Sequence, residues 1–396
     1  MENEPVAIPQ RDRDVPRLAL YTKAWRTSGT GLFAQELVLA LVAKGAQVSF
    51  VSPRTDDDRL EMERPGLKRI RPPRELTRPA GRLRSATASL LRILGSMAGL
   101  LAARFSVRVF IVSIPDPLPI AICLFFLLRL SGAKIIYIVH DPLPHAFRLP
   151  KRWRWLELWA IGLSYDLATT IVVLSEASRQ RLSEVFPHVH RPIEIIEHGV
   201  FPLEGCGEPP GDGKLLCFGT IRRNKHIAQA IEGIALARQD GLPASLLVAG
   251  ETHKEDRAYE EECQRLARQA GAGVEWLPGY LDDAELPAIM ARCDAFLLPY
   301  GDFHSQSGVA MLAASNGWPI IATDAGGLSA LIEDGLPAQR IEQPVTAQSV
   351  ARAVAAFMAA PIYTWQTSAR AYRERVLERL SWTAIADRYL EVARSP

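Results

Sequence analysis

A polar loop, His304–Gly308, lies between an apolar run and a stretch of small residues. The apolar run, Asp294–Pro299, predicts a buried strand, and Val309–Asn316 predicts a helix that ends at Gly317. The backbone donors of that helix would lie at the positive end of its dipole. They are the N–H groups of Ser307, Gly308 and Val309. The loop is therefore suited to an anion such as a phosphate, which small side chains allow to approach closely.

A purely structural alternative exists, since Ser305 and Ser307 could simply cap a helix. The wider pattern bears on this choice. A second strand, Pro319–Thr323, and a turn, Asp324–Gly327, follow the helix, and another helix comes next. Repeated strand, loop and helix are typical of a parallel α/β sheet, in which ligands bind at the carboxyl ends of strands.

Arg222 and Lys225 lie in the loop between an earlier predicted strand, Lys214–Gly219, and a predicted helix, Ile227–Arg238, and they flank the entrance of that helix. Arginine binds phosphate as a fork and lysine as a point charge, so this pair could hold a diphosphate. Alternatively, both are solvated loop cations.

His140 and Asp141 follow the predicted strand Lys134–Val139, and His145 comes shortly after them. Their place at the end of a strand is where this architecture binds ligands. The alternative for His140 is a satisfied structural histidine. His145 could face an acceptor molecule or simply water.

The chain begins its regular structure with a strand, Arg17–Tyr21, a loop that ends with Ser28–Gly31, a helix from near Leu32 and a strand, Gln47–Ser52. This unit predicts a Rossmann-like domain. The loop lacks the G-x-G-x-x-G fingerprint, which argues against bound NAD or FAD.

The length of 396 residues and the restart of the pattern after a Gly/Pro-rich segment predict two domains. We expect a disordered tail over 1–16, a first domain over 17–200 and a linker over 201–213. A second domain over 214–365 and C-terminal helices over 366–396 would follow. The five cysteines are odd in number and form no C-x-x-C pair, and no N-terminal signal is visible. Both observations fit a reducing cytoplasm.

The first half carries two features suited to an anionic membrane surface. The segment from Arg64 to Arg104 contains ten basic residues and one acidic residue. From Ser85 onward the same segment becomes apolar and predicts a helix. Basic and indole side chains alternate around Trp153, Trp155 and Trp159. A solvated charged face is the alternative, and a nucleic-acid surface ranks lower because no nucleic-acid module accompanies it. The apolar run Pro117–Leu128 is too short to span a bilayer and predicts a buried helix.

Gly317-Trp318-Pro319 and Thr323-Asp324-Ala325-Gly326-Gly327 resemble the donor-binding segment of retaining glycosyltransferases of family 4. The resemblance covers most of the chain and implies the GT-B fold: two Rossmann-like domains facing each other across a cleft, with a last helix that crosses back to the first domain. The family usually has two glutamates in this segment. By register they fall on His304 and Leu312, as in a bacterial polysaccharide branch with an S-Q-S-G-V type loop.

The resemblance also implies roles for individual residues. The histidine that touches the donor sugar in the family corresponds to His140, which becomes the candidate catalytic residue. The first domain would bind the acceptor, with Asp141 and His145 as candidates for contact with the acceptor or another group, and the second domain would bind the nucleotide-sugar. The implied donor-binding residues are Gly31, Arg222, Lys225, Tyr280, Leu281, His304, Ser305, Ser307, Gly308 and Val309.

The resulting expectation is a retaining, metal-independent hexosyltransferase without a cofactor. It would move a sugar from a nucleotide-sugar to a lipid-linked saccharide in polysaccharide biosynthesis. Its place would be the cytoplasmic face of the cell membrane. No D-x-D motif suits a bound Mg²⁺, and Asp56-Asp57-Asp58 lies far from both proposed sites in the sequence. Two alternatives are a non-catalytic scaffold, favoured by the missing glutamates, and a sugar-nucleotide epimerase, which needs carboxylates for acid/base work.

Overall fold

The structure is a computed structural model. It describes residues 16–23, 29–53, 64–73, 82–115, 118–143, 147, 149–252, 256–279, 281, 284–301 and 306–395. The chain divides into two compact units. The first comprises Met1–Val173, Leu182–Ile196 and Trp382–Pro396, and the second comprises Leu174–Arg181 and Glu197–Ser381.

The first unit is built on a seven-stranded parallel sheet with the strand order β3-β2-β1-β4-β5-β6-β7. Its strands are β1 (Arg17–Tyr21), β2 (Gln47–Val51), β3 (Leu67–Ile70), β4 (Val109–Val112), β5 (Lys134–Val139), β6 (Thr170–Val173) and β7 (Ile193–Ile195). The strand order reverses its direction between β1 and β4. Ligands of such sheets bind at this switch point, beyond the carboxyl ends of the strands.

Helices cover both faces of this sheet. They are α1 (Gly29–Ala43), α2 (Arg82–Ala103), α3 (Leu118–Leu130), α4 (Arg154–Leu167), α5 (Glu176–Val185) and the C-terminal α13 (Trp382–Arg394). α1 and α13 pack against each other. Right-handed crossovers place α2, α3 and α4 together on the opposite face. Leu100 of α2, Leu124 of α3 and Tyr165 of α4 accordingly share one hydrophobic core.

The second unit is built on a six-stranded parallel sheet with the strand order β10-β9-β8-β11-β12-β13. Its strands are β8 (Lys214–Phe218), β9 (Ser245–Gly250), β10 (Val274–Pro278), β11 (Ala295–Leu298), β12 (Ile320–Thr323) and β13 (Ala338–Ile341). Its helices are α6 (Ile227–Gln239), α7 (Arg257–Ala270), α8 (Leu286–Met290), α9 (Gly308–Asn316), α10 (Gly327–Glu333), α11 (Ala347–Ala359) and α12 (Ile362–Arg379). The switch point here lies between β8 and β11.

The predicted fold class, two parallel α/β sheets, is confirmed. Three local expectations were wrong. α1 begins at Gly29, so Gly31 lies buried in its first turn and not in a loop before it. α3 is not a buried helix: Ala121 and Phe125 face the core, while Phe126 and Leu130 are exposed. The reason is that α3 is apolar on every side, so its composition gives no sign of which face the protein covers.

Arg92 is the third correction, because it was expected on a basic exposed face. Its side chain is buried on the inner side of α2, beside the buried Ile93. Of the other described basic residues nearby, Lys68, Arg71 and Arg84 are exposed and Arg69 is half-buried. α2 approaches β3 very closely, since a Cβ built on Gly99 would lie 2.6 Å from Ile70 Cγ2. This contact packs β3, which contains Lys68 and Arg69, against α2.

Candidate functional site

At the switch point of the second unit, a glycine allows neighbouring elements to approach one another closely. Gly219 follows β8 with a φ of 92°, a left-handed conformation that favours glycine. A Cβ at this position would lie 3.3 Å from Lys225 Nζ and 3.4 Å from Val309 Cγ2. The end of β8, the lysine ammonium group and the first turn of α9 therefore converge on one small region.

Lys225 is the cation of this region and is half-buried. Its Nζ lies 3.5 Å from the carbonyl oxygen of Phe218 and 5.5 Å from the centre of the Tyr300 ring. Burial, and next the nearby charge of Arg222, lower the pKa of Lys225 to about 8, while Cys217 opposes the shift. A bound anion would stabilise the charged form of this ammonium group.

Arg222 and Arg223 have different surroundings, although they are adjacent. Arg223 pairs with Glu262 at 3.2 Å, and its guanidinium carbon lies 4.6 Å from the centre of the Tyr259 ring. It is thus occupied against α7. Arg222 remains close enough to Lys225 to influence its pKa. Arg222 therefore lies near Lys225, while Arg223 is directed toward α7.

The N-terminus of α9 completes this region. Ser307 is the N-cap, and its Oγ accepts a hydrogen bond from the Ala310 N–H at 3.2 Å. Gly308 and Val309 occupy the first two helical positions, whose N–H groups have no acceptor within the helix. Burial raises the pKa of the Tyr300 phenol, and the Ser307 side chain beside it opposes that shift. Ser307 thus connects the helix cap to the ring that packs on Lys225.

Backbone contacts fix the loops around this site. Gly301 N–H donates to the Asn224 carbonyl at 2.8 Å, and Thr323 Oγ1 donates to the Tyr300 carbonyl at 2.7 Å. His226, which begins α6, has a φ of 49°, the only positive φ of a non-glycine residue in the described ranges. Such strain persists only where neighbouring contacts determine the backbone, and it is concentrated at functional sites.

The C-terminal end of α9 is anchored to the segment that follows the first unit in the chain. Asn316 Nδ2 donates to the carbonyls of Phe201 and Leu312 at 2.9 and 2.8 Å, and its Oδ1 accepts from Leu203 N–H at 2.8 Å. The Phe201 N–H also donates to Ser315 Oγ at 3.2 Å. α9 is therefore held at both ends, which fixes the direction of its N-terminus.

We expect Asn316→Ala to lower the free energy of unfolding by about 2 to 3 kcal/mol, because it leaves buried backbone groups without partners. Calorimetric unfolding of the variant and wild type would measure the loss. Gln339→Ala is the control, since that exposed amide bonds only to the neighbouring Arg340 carbonyl. Equal stability of both variants would contradict the proposed anchoring of α9.

The first unit holds His140 at the carboxyl end of β5. Its Nε2 lies 2.8 Å from the Oγ of Ser113, which follows β4. The Phe33 ring of α1 packs edge-on against the imidazole, with ring centres 5.0 Å apart. Trp382 of α13 packs in turn on Phe33 at 5.2 Å. His140 is therefore oriented by one polar and one aromatic neighbour.

The structure places some of the other predicted residues and does not describe the rest. Asp141 follows His140. Burial raises the pKa of the Tyr165 phenol, and the nearby Tyr137 and Asp141 raise it further. Gly31 lies two residues before Phe33, buried in the first turn of α1. Leu281 follows β10 and shows no polar role. Four predicted residues lie outside the described residues: His145, Tyr280, His304 and Ser305.

Leu312, which by register occupies a family glutamate position, is a buried apolar residue of α9. Sequence reasoning did not single out Gly219, Tyr300, Ser113 or Phe33. Gly219 and Tyr300 could have been noticed, since each follows a predicted strand. The contacts of Ser113 and Phe33 with His140 join distant parts of the chain, and no local pattern signals them.

Exposed large hydrophobic side chains are concentrated on the first unit. Of twelve in the described part of the chain, eleven lie between Leu90 and Trp159, and Tyr363 is the other. The eleven are Leu90, Leu91, Leu94, Phe105, Phe126, Leu127, Leu130, Leu149, Trp153, Trp155 and Trp159. Ten of them, all but Leu149, come from α2, α3 and α4 or the residues flanking them, and we call these ten the outer helix layer.

α2 also has the length and composition of a membrane-crossing helix, since Arg84–Ala103 has a mean hydropathy of 1.5 and is only 28% buried. In this structure it packs on the sheet through Leu100 and Ala103. Helices of soluble proteins pass the same test of length and composition. α2 is therefore a helix that covers the sheet on one side and exposes an apolar face on the other.

Three known proteins are similar to this chain, one in sequence and two in structure. The glycogen synthase of Mycobacterium tuberculosis is 27% identical over 247 residues, which are 60% of this chain and 57% of that protein, so the match spans less than two thirds of the relative. The sucrose-phosphate synthase of Thermosynechococcus elongatus has a TM-score of 0.72 at 18% identity, covering 96% of this chain and 98% of that one. Anabaena HepE in complex with UDP and glucose has a TM-score of 0.69 at 16% identity, covering 95% and 99%.

Two family models match adjoining parts of the chain. Residues 27–202 match the model described as Glycosyltransferase Family 4, and residues 212–360 match the model described as Glycosyl transferases group 1. The solved structures above share its fold along nearly the whole chain. The chain therefore has the fold of the GT-B glycosyltransferases, and its two parts match a family 4 model and a group 1 glycosyltransferase model.

Proposed function

We propose that this glycosyltransferase uses a nucleoside diphosphate sugar whose diphosphate binds between Lys225, Arg222 and the N-terminus of α9. The observation that carries this assignment is the close approach of Lys225 Nζ and Val309 to Gly219. A phosphate bound beside them would meet a half-buried ammonium group and the N–H groups of Gly308 and Val309. Cations and aimed N–H donors are what a departing diphosphate requires.

In the proposed reaction the bond between the anomeric carbon and the diphosphate oxygen breaks, and its electron pair stays on the diphosphate. An acceptor hydroxyl oxygen forms the new bond on the same face, so configuration is retained, and its proton passes to the departing phosphate oxygen. Lys225, Arg222 and the α9 amides counter the developing charge, a task that a metal ion has in other enzymes. We assign the contact with the transferred sugar to His140.

UDP is the first nucleotide to test, because HepE, which shares the fold, was solved with UDP and glucose. The donor pocket differs from the usual family pattern at Leu312, where an apolar side chain is buried. This difference favours one competing function, a protein that binds the donor without transferring it. Turnover separates the two, since binding alone is common to both.

We further propose that the outer helix layer attaches the protein to an anionic membrane surface that supplies a lipid-linked acceptor. Large apolar side chains of three neighbouring helices are exposed there, which is far more than an ordinary soluble surface needs. Lys68, Arg71, Lys151 and Arg152 lie at its margins and are exposed. Apolar surface edged by lysine and arginine is the composition that binds anionic lipid headgroups.

Thermal stabilisation by UDP, GDP, ADP and TDP and their sugars, measured in EDTA, tests the donor assignment. We expect one nucleotide class to raise the melting temperature, because a ligand that binds only the folded state stabilises it. Transfer with that donor, also in EDTA, should then release the nucleoside diphosphate. Stabilisation without release would support the non-catalytic alternative, and no stabilisation by any nucleotide would contradict the donor site.

A further inference from the structure

Ser113 is the polar side chain that the structure places on the imidazole of His140. Its Oγ lies 2.8 Å from His140 Nε2, and Ser113 is almost fully buried at 1% exposure. Its backbone is fixed as well, because Ser113 N–H donates to the Tyr21 carbonyl at 2.9 Å. A buried hydroxyl on a rigid backbone holds its partner in a defined position.

The opposite constraint on the ring is aromatic. Phe33 contacts the imidazole edge-on, at an interplanar angle of 83°, and is itself fully buried against Trp382. Edge-to-face pairs have a preferred geometry, so rotation of the imidazole would disturb this contact. Trp382 begins the C-terminal helix α13, so the support of His140 extends to the last helix of the chain.

We propose that Ser113 is a positioning residue for the glycosyl transfer: its hydroxyl fixes the orientation and the tautomer of His140, with Phe33 and Trp382 holding the plane of the ring. This inference rests on the proposed function of His140. The two ring nitrogens of a neutral histidine have opposite hydrogen-bonding roles, and the bond made by one decides the role of the other. Without the Ser113 hydroxyl, the edge presented to the sugar would vary between molecules.

Ser113→Ala should lower kcat about tenfold, the effect of one hydrogen bond, with less than about a twofold change in the donor KM. In a His140→Ala background the same change should have no further effect, because Ser113 acts through the imidazole. Ser164→Ala is the control: this equally buried serine donates to the Ile161 carbonyl of its own helix and lies beside the Tyr137 phenol, so its loss should leave kcat unchanged.

Nitrogen-15 NMR of histidine-labelled protein gives a readout independent of turnover. The chain has eight histidines, and the His140 signals are identified by their disappearance in His140→Gln. We expect a single neutral tautomer in the wild type and averaged ring-nitrogen shifts in Ser113→Ala. Shifts and kcat that match the wild type would overturn the inference, as would additive losses in the double variant.

Failure of the proposed function would be recognised differently. In that case the wild-type protein itself would transfer no sugar, while the NMR comparison would still decide whether Ser113 fixes the imidazole. A wild-type enzyme that turns over, with a Ser113→Ala variant that turns over equally fast, would contradict only the role of Ser113.

Discussion

Replacing Lys225 by methionine is expected to lower kcat/KM for the donor about a hundredfold, the usual effect of losing one charge-stabilising group. The same change should raise the melting temperature of the ligand-free protein by roughly 2 to 4 °C. Methionine retains much of the volume but removes a charge that burial and Arg222 disfavour. Steady-state kinetics and differential scanning fluorimetry measure the two effects. If Lys225 binds the donor and its burial destabilises the ligand-free protein, the lower kcat/KM and the higher melting temperature should occur together.

Arg223→Met is the matched control, two residues away in the same loop. Its side chain pairs with Glu262 and packs on Tyr259, away from the proposed phosphate position. We expect near-normal kinetics and a slightly lower melting temperature from it. If Arg223→Met impaired the donor reaction as strongly as Lys225→Met, the loop as a whole, and not the Lys225 charge, would explain the loss.

The pH dependence gives the same assignment a second check. The pKa of Lys225 is lowered to about 8, chiefly by burial, so the group is charged below pH 8 and neutral above it. Donor kcat/KM, which reports groups of the free enzyme, should therefore be constant at neutral pH and decline as pH rises through about 8. The sign is opposite for stability: the unfolded chain binds the proton more tightly, so stability should increase between about pH 8 and 10.

The parts of this site that follow one another in the chain were predictable. Short apolar runs ending in polar or glycine residues located β8 and β11, and the rule for parallel sheets then placed Lys225 and Ser307 at one edge. Ser307 was identified as a helix cap because capping depends on neighbouring residues only. Arg222 was chosen from the sequence without its neighbour Arg223, and the structure adds that Glu262 and Tyr259 occupy Arg223.

The parts that depend on distant contacts were not predictable. Ser113, Phe33 and Trp382 converge on His140 from strands and helices far apart in sequence. The exposure of α3 shows a different limit. A helix that is apolar all round predicts that every face is covered, but sequence does not tell whether protein or another apolar phase covers it. Phe126 and Leu130 lie on the face that the protein leaves uncovered.

Attachment through that face can be tested by placing charges on it. Leu94→Glu together with Phe126→Glu should reduce binding to phosphatidylglycerol-containing vesicles at least tenfold, because two apolar contacts are lost and two negative charges meet an anionic surface. Both side chains are more than half exposed, so the fold should tolerate the changes. Vesicle co-sedimentation measures binding, and donor-induced stabilisation confirms that the second unit is intact.

Tyr363→Glu supplies the matched control, since Tyr363 is 66% exposed on α12 of the second unit, outside the outer helix layer. It adds the same charge in place of an exposed aromatic ring, so any general effect of charge would appear in it too. We expect it to bind vesicles nearly as well as the wild type.

Salt should weaken wild-type binding without abolishing it, because screening removes the lysine and arginine contribution and leaves the apolar one. Wild-type binding by Leu94→Glu/Phe126→Glu would mean that this layer does not contact lipid, and its exposed apolar side chains would then require a protein partner.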